Sequence, residues 1–300
     1  MVGSHMTLDF FTFRYAAKAT LLKHQKTLTA HLKQKQTRGA EILSMEKDDD
    51  NKVFSIAFRT PVEDSKGIPH ILEHSVLCGS RSYPTKSPFI ELRKSSLHTF
   101  LNAMTFADRT VYPVASQNNQ DFYNLADVYL DSVLHPRAKD DPLVLAQEGW
   151  HYELKDVKDP LTIKGVVYNE MKGVYSSPDS LHGQWTRGTA DGARALSRRA
   201  VRDSGGDPEA IPTLDYKQFR SFHDRYYHPS NARVFFYGND PVEKRFALLD
   251  KYLNEFEPLA EGSSHSAVGT QPLKKEPYRL HQSVPVAKGS VADLHLTNVF

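Results

Sequence analysis

The chain has 300 residues, which is enough for one large domain or two modest ones. Hydrophobic residues make up 39 % and charged residues 25 %, close to ordinary globular usage, and the sequence lacks the run of about 18 apolar residues that a membrane-spanning helix needs. The net charge of +2 is too balanced for a protein that coats nucleic acid or membrane surfaces, and the single cysteine excludes an internal disulfide and favours a reducing compartment.

The two ends of the sequence differ in character from its middle. Residues 1–6, Met-Val-Gly-Ser-His-Met, are typical of the remnant of a cleaved expression tag. Residues 261–270 are small and polar, as in a linker. We therefore expect one domain over 7–260, and a linker with the start of a following domain over 261–300.

Two β-hairpins are predicted in the first half of this domain. The stretches 40–45 and 53–58 flank a polar turn at 48–51, which indicates a strand, a turn and a strand. The stretches 99–105 and 110–115 predict a second hairpin in the same way.

Apolar periodicity predicts three helices and one more strand. Pro136 ends the first helix, while Asp240 is the predicted N-cap of the last, with Pro241 in its first turn. The predicted helices cover 120–134, 213–226 and 241–256, and the strand covers 234–237. Helices together with hairpins predict an α+β fold, in which helices pack on a largely antiparallel sheet.

The most informative segment is a short helix predicted between Gly67 and Gly79. His70 and His74 lie one turn apart on the same face of it, so both imidazoles can reach one metal ion at ~2.0–2.1 Å. Glu73 projects beside them, displaced by about 60° around the helix axis. The arrangement is His-x-x-Glu-His, the reverse of the commoner zinc peptidase pattern.

This pentad alone is a weak signal, since chance produces it in roughly 3 % of shuffled chains of this composition. The competing interpretation is a helix with two exposed histidines and a solvated glutamate. The apolar neighbours of the pentad favour a functional role, because a mostly buried His-Glu-His group needs a partner that offsets its desolvation.

A catalytic zinc site needs a third protein ligand, which the spacing does not identify. Cys78 lies eight residues after His70, about 12 Å along a helix axis, so it cannot share a metal with both histidines. Carboxylates on a second helix are better candidates. Glu170, Glu148 and Glu153 all remain open on spacing alone.

The sequence resembles the inverzincins, the pitrilysin and insulin-degrading group of zinc metallopeptidases, and within it the presequence protease branch. The resemblance depends on His70-x-x-Glu73-His74 together with Asn169-Glu170-Met171-Lys172-Gly173 further along the chain. It extends from about residue 20 to about residue 260, with supporting stretches VFSIAFRTP (53–61), GIPHILEHSVLCGS (67–80), LNAMT (101–105), DRTVYPVAS (108–116) and YYHPSN (226–231).

The resemblance implies a fold and a role for each residue of the site. The fold would be one pitrilysin-type unit, LuxS/mitochondrial-processing-peptidase-like. His70, His74 and Glu170 would bind Zn²⁺, and Glu73 would be the base that activates water. Asn102 and Ala103 would lie on a strand edge that pairs with an extended, unfolded peptide substrate. Taken alone, the sequence favours a different interpretation, in which Asn102 is an ordinary turn or strand-end residue.

Family members have a second half that closes over the first, and this chain stops near the linker to it. The C-terminal half is therefore the expected intramolecular partner, and without it we expect the chain to bind zinc but to be weakly active or inactive. Acceptors that hold the imidazole tautomers are also expected, with Glu148 and Asp127 as candidates.

The resemblance implies a zinc endopeptidase of the mitochondrial matrix, with plastid stroma or bacterial cytoplasm as alternatives. No nucleic-acid or membrane partner is expected. The competing hypothesis is a non-catalytic interaction or scaffold module of the same fold. The set of His70, Glu73, His74 and Glu170 favours the enzyme, because a scaffold has no physical reason to group four polar side chains that are costly to bury.

Overall fold

The structure is a computed structural model that describes residues 15–22, 27–34, 40–177, 180, 202–257 and 266–267. The predicted tag remnant 1–6 lies outside these ranges, and of the segment 261–300 only Ser266 and Ala267 lie within them. The domain boundaries therefore stay predictions. Among the described helices, none is long and apolar enough to cross a bilayer.

An eight-stranded sheet forms the centre of the fold. Its strands are β1 (Tyr15–Leu22), β2 (Thr27–Gln34), β3 (Glu41–Glu46), β4 (Lys52–Arg59), β5 (His98–Leu101), β6 (Met104–Thr105), β7 (Arg109–Ser116) and β10 (Ala232–Gly238). Their order is β1-β2-β3-β10-β4-β7-β5, with β6 beside β7, and every pair except β3–β10 is antiparallel. A separate hairpin joins β8 (His151–Glu153) and β9 (Thr162–Lys164). The predicted α+β class and largely antiparallel sheet are confirmed.

The hairpin predicted between β3 and β4 is wrong, because β10 lies between them. Val234 on β10 faces Ile42 on one side and Ile56 on the other. The polar turn exists, but it wraps the end of β10: Lys47 N donates to Gly238 O at 3.0 Å. Since β10 alternates buried and half-buried residues along its whole length, it suits a central position with a neighbour on each side.

The second predicted hairpin is confirmed as an antiparallel pairing, but its first strand is broken. β5 ends at Leu101 and β6 begins at Met104, and both pair with β7. Asn102 and Ala103 lie in the break, where Asn102 N donates to Pro113 O on β7 at 3.3 Å.

The helices follow the predicted periodicity closely. The described helices are α1 (Ile68–Val76), α2 (Pro88–Ser95), α3 (Asn119–Leu134), α4 (Pro142–Glu148), α5 (Val166–Val174), α6 (Tyr216–Tyr226) and α7 (Val242–Leu253). The prediction over 120–134 is confirmed by α3. The predicted helix at 213–226 begins later, at Tyr216, because Asp215 caps it by accepting a hydrogen bond from Gln218 N at 2.8 Å.

The predicted N-cap role of Asp240 is wrong. Pro241 occupies the capping position of α7, with no side-chain hydrogen bond to the helix. The Asp240 carboxylate instead accepts hydrogen bonds from Arg245 Nε at 2.9 Å and from Nη2 at 2.6 Å, and both side chains are fully buried. A buried guanidinium needs a carboxylate partner more than a helix end needs a cap, since the helix end can be solvated.

The core lies where α1 and α3 pack on the sheet. Phe236 on β10 lies between Phe54, whose ring is tilted against it at 5.1 Å, and Phe122, which meets it edge-to-face at 6.5 Å, and all three are fully buried. Each buried ring of this kind stabilises the fold by roughly 1.5–3 kcal/mol. On α1, Ile71, Leu72, Ser75 and Val76 form the buried face, which leaves His70, Glu73 and His74 on the opposite, half-buried face.

Candidate metal centre

The start of α1 sets the direction of the two histidines. Gly67 precedes the helix with φ +69, and a side chain there would lie 2.8 Å from Gly205 O, so the position needs glycine. Pro69 fills the first helical turn, where its missing N–H costs nothing. His70 and His74 then project from one face with ring centroids 5.1 Å apart.

Glu170, on α5, reaches both histidines. Its Oε2 lies 3.8 Å from His70 Nε2 and 3.8 Å from His74 Nε2. One ligand atom from each of the three residues lies within 4.8 Å of the others. Ligands of a tetrahedral zinc ion at ~2.1 Å each are roughly 3.4 Å apart, so a small closing movement would make the group fit such an ion.

A close backbone contact sets the position of α5. Gly165 precedes the helix with φ +152, and a Cβ atom there would lie 2.1 Å from Gly149 O. Tyr168 N, in the first turn of α5, donates to that same carbonyl at 3.4 Å. Because Gly149 directly follows α4, this contact joins the carboxylate-bearing helix to the helix that ends in Glu148.

In each imidazole, Nδ1 faces a hydrogen-bond acceptor, and Nε2 therefore faces Glu170. His70 Nδ1 donates to the main-chain oxygen of Gly205 at 3.0 Å. His74 Nδ1 lies 3.4 Å from Glu148 Oε2. A metal-ligating histidine needs its second ring nitrogen oriented in this way, so the surroundings of the three residues fit a metal site.

Charge around His74 reinforces the arrangement. Burial lowers the pKa of His74, but the hydrogen bond to Glu148 and the nearby carboxylates of Glu73 and Glu170 outweigh it and raise that pKa above its usual value. Burial raises the pKa of Glu148, but hydrogen bonds from His74, Gln147 and Cys78 outweigh it, so the carboxyl stays ionised more readily than usual.

Cys78 takes part as a donor to Glu148. Its Sγ donates to Glu148 Oε1 at 3.4 Å, while burial raises the pKa of the thiol to about 12. The protonated thiol is not part of the three-residue cluster. This agrees with the sequence argument that it lies too far along the chain to share a metal with both histidines.

Glu73 lies next to the cluster without belonging to it. Its Oε2 accepts a hydrogen bond from Thr105 Oγ1 at 2.5 Å, which joins α1 to β6. The side chain is half-buried. It therefore combines a carboxylate beside the candidate metal position with access from solvent, as a general base needs.

Asn102 and Ala103 lie at the rim of the sheet near Glu73. Tyr129, buried on α3, donates its hydroxyl to Asn102 O at 3.2 Å. Among the described residues, no strand pairs with the outer side of β5 and β6. An extended peptide could add there as a further strand.

The structure does not bring Asp127 or Glu153 to the site. The Asp127 carboxylate on α3 accepts hydrogen bonds from Lys251 and Tyr252 on α7 and from Tyr83 in the segment between α1 and α2. Glu153 lies on β8, outside the cluster. Sequence reasoning missed Gly205, and the pair Gly205-Gly206 was the only signal that could have drawn attention to that segment.

Two family models match the chain. The insulinase family model (peptidase family M16) matches residues 59–171, a range that includes both histidines, Glu73 and Glu170. The model described as the peptidase M16 inactive domain matches residues 213–292.

Curated proteins with similar sequences are named mostly as presequence proteases. Presequence protease 1, chloroplastic/mitochondrial, of Arabidopsis thaliana is 49 % identical over 98 % of this chain and 26 % of its own length. Protein HypA of Clostridium perfringens is 54 % identical over 73 % of the chain and 22 % of its own length. The mitochondrial presequence protease of Mus musculus is 41 % identical over 85 % of the chain and 24 % of its own length. The chain thus spans about a quarter of the length of these relatives.

Proposed function

Because this chain belongs to the M16 peptidase family of pitrilysin and insulinase, in its presequence protease branch, we propose that it is the zinc-binding part of a metalloendopeptidase. The substrates would be short unstructured peptides, such as targeting peptides after their cleavage. The observation that carries the proposal is the convergence of His70, His74 and Glu170, with Glu73 beside them.

His70, His74 and Glu170 are the residues that would hold the metal. Two neutral imidazoles and one carboxylate are a donor set typical of catalytic zinc, and the acceptors behind both rings support it. When bound in such a site, Zn²⁺ lowers the pKa of its water to ~7 and polarises the carbonyl of the peptide.

Glu73 is the proposed proton carrier. Its carboxylate takes the proton of the attacking water and delivers it to the amine that leaves, so that one side chain acts as base and then as acid. The hydrogen bond from Thr105 occupies Oε2, which leaves Oε1 for this transfer.

The rim at Asn102 and Ala103 is the proposed binding edge. Main-chain hydrogen bonds to a strand edge need an extended substrate, and folded proteins do not offer one. This requirement supports unstructured peptides as the substrate class. The names of the related presequence proteases place those proteins in mitochondria or chloroplasts, and for this chain we propose the mitochondrial matrix, with plastid stroma and bacterial cytoplasm as the alternatives.

Glu73→Gln and Glu170→Ala test the proposal at separate steps. Glu73→Gln keeps the zinc content, measured by atomic absorption, but abolishes cleavage of an unstructured peptide by the full-length protein, because the amide cannot accept the proton. Glu170→Ala and His70→Ala lower the zinc content itself. Glu153→Gln is the matched control and leaves both properties unchanged. A Glu73→Gln enzyme as active as its parent would remove Glu73 from the mechanism.

This chain alone is expected to bind zinc and to turn over slowly. The relatives' remaining three-quarters would close over the site and exclude water, and a missing charge-stabilising donor alone typically lowers turnover about 10²–10³-fold. Joining the remainder to this chain should therefore raise turnover by orders of magnitude, with unchanged zinc stoichiometry.

A scaffold or interaction module of the same fold is the second candidate. The match of residues 213–292 to a model described as an inactive domain favours it. The two candidates differ in metal content: a scaffold purified with excess Zn²⁺ and then dialysed would retain none at this site.

A further inference from the structure

Thr105 makes a contact with Glu73 that neither the zinc ligands nor the strand edge requires. Its Oγ1 donates to Glu73 Oε2 at 2.5 Å, across the space between β6 and α1. A hydrogen bond to an ionised carboxylate is shorter and stronger than one between neutral groups. The contact therefore fixes one oxygen of the proposed base.

The hydroxyl is itself held firmly by the sheet. Thr105 is β-branched, which restricts its χ1 torsion, and it pairs with Thr110 on β7. Thr110 is fully buried, and its hydroxyl hydrogen-bonds that of Thr60 at 2.9 Å. A glutamate alone would sample several rotamers, so an anchor on this rigid pair of strands selects one of them.

The anchor also lies on the proposed binding edge. Thr105 is two residues after Ala103, and in the part of the chain that the structure describes β6 has a partner strand on one side only. A peptide that pairs with this edge would further fix the backbone that carries Thr105. The position of the bound peptide and the orientation of the Glu73 carboxylate are then coupled through the side chain of Thr105.

We propose that Thr105 is a positioning residue that orients the Glu73 carboxylate and ties it to the substrate-binding edge. The inference rests on the proposed function, in which Glu73 is the base. It predicts that loss of the hydroxyl reduces the rate of the chemical step and leaves zinc binding intact.

The test compares Thr105→Val, which removes the hydroxyl at nearly constant shape, with Thr105→Ser, which keeps it. In the zinc-loaded full-length protein, Thr105→Val should lower kcat by about 10–100-fold with KM within about twofold, since a misplaced catalytic group costs rate rather than binding. Thr105→Ser should recover most of kcat. Thr162→Val, which removes an exposed hydroxyl from the separate β8–β9 hairpin, should change neither constant.

A second readout does not depend on activity. In crystal structures of the metal-free variants, the Glu73 carboxylate should be ordered in Thr105→Ser and spread over several rotamers in Thr105→Val. If Thr105→Val fails to fold, Thr105→Ala removes the same hydroxyl with less demand on space. The same comparison with Thr105→Ser then applies.

The outcomes separate this inference from the proposed function. A Thr105→Val enzyme with full kcat overturns the positioning role, and so do equal losses in Thr105→Val and Thr105→Ser. If Glu73→Gln is inactive in the same assay, the proposed function survives either result. If Glu73→Gln is fully active, the proposed function fails first, whatever the threonine variants do.

Discussion

At the scale of single residues, spacing predicts the inner side chains of the candidate site better than the groups that support them. His70, Glu73 and His74 belong to one helical turn and a fraction of the next, so helix geometry alone places them together. The acceptor behind His70 is a main-chain oxygen 135 residues away. No local sequence pattern identifies which main-chain carbonyl will accept this hydrogen bond, because every residue has a carbonyl.

Glu148 should support zinc binding through His74. Glu148→Gln replaces the acceptor of the His74 Nδ1 proton with a weaker, uncharged one, so we expect zinc affinity to fall by about 10–100-fold. Competition with a chromophoric chelator measures the change.

Asp127→Asn is the control, because Asp127 was an equal candidate in the sequence but contacts Tyr83, Lys251 and Tyr252 instead of an imidazole. Its zinc affinity should match that of the parent. Equal affinities for parent and Glu148→Gln would show that His74 keeps its orientation without this carboxylate.

At the scale of elements, predictions succeed where periodicity decides and fail where long-range pairing decides. The apolar pattern of α3 identifies the helix and one buried face, although residues 128–134 are in fact buried on every side. The insertion of β10 between β3 and β4 depends on residues nearly two hundred positions apart. The short polar turn between β3 and β4 instead predicted that these two strands pair directly with each other. The Asp240 prediction failed for a local reason: its partner Arg245 is only five residues away, but a capping pattern does not include a buried guanidinium.

Two glycines, one just before α5 and one in its last turn, should respond in opposite directions to alanine. Gly165→Ala places a Cβ atom 2.1 Å from Gly149 O at a φ of +152, so we expect a loss of about 2–3 kcal/mol and displacement of Glu170. Gly173→Ala meets nothing within 4 Å and should stabilise the helix by about 0.5–1 kcal/mol.

Urea unfolding measures both free energies, and zinc titration reports on the site. Only Gly165→Ala should weaken zinc binding. If the two variants behave alike, the contact between Gly165 and Gly149 does not position α5.

At the scale of the whole molecule, buried histidines away from the site make folding sensitive to acid. His223, on α6, donates Nε2–H to Val133 O at 2.9 Å and stacks on Tyr227 at 4.7 Å. Burial, assisted by the positive charge of Lys139, lowers its pKa from 6.5 to about 3. Burial also lowers the pKa values of His135 and His228, so all three act in the same direction.

The free energy of unfolding should therefore fall as the pH drops below about 6.5. In this range His223 binds a proton in the unfolded chain but stays unprotonated where it is buried in the folded protein. One such group contributes a slope of up to about 1.4 kcal/mol per pH unit between its unfolded and folded pKa values. His223→Gln keeps an N–H donor without the titration and should reduce the slope by that amount. Urea unfolding of metal-free protein from pH 7.5 to 4.5 measures it.

An unaltered slope in His223→Gln would mean that His223 is protonated in the folded state at these pH values.

The central position of β10 has a consequence for how the protein is made. Synthesis delivers β3 and β4 long before β10, so their facing edges stay without the strand that finally separates them until residue 238 has left the ribosome. Until then the nascent chain carries two unpaired strand edges, in strands rich in Ile, Leu and Phe, that can pair with other chains. The yield of folded protein should therefore depend on translation speed and on chaperones, and not on the final stability alone.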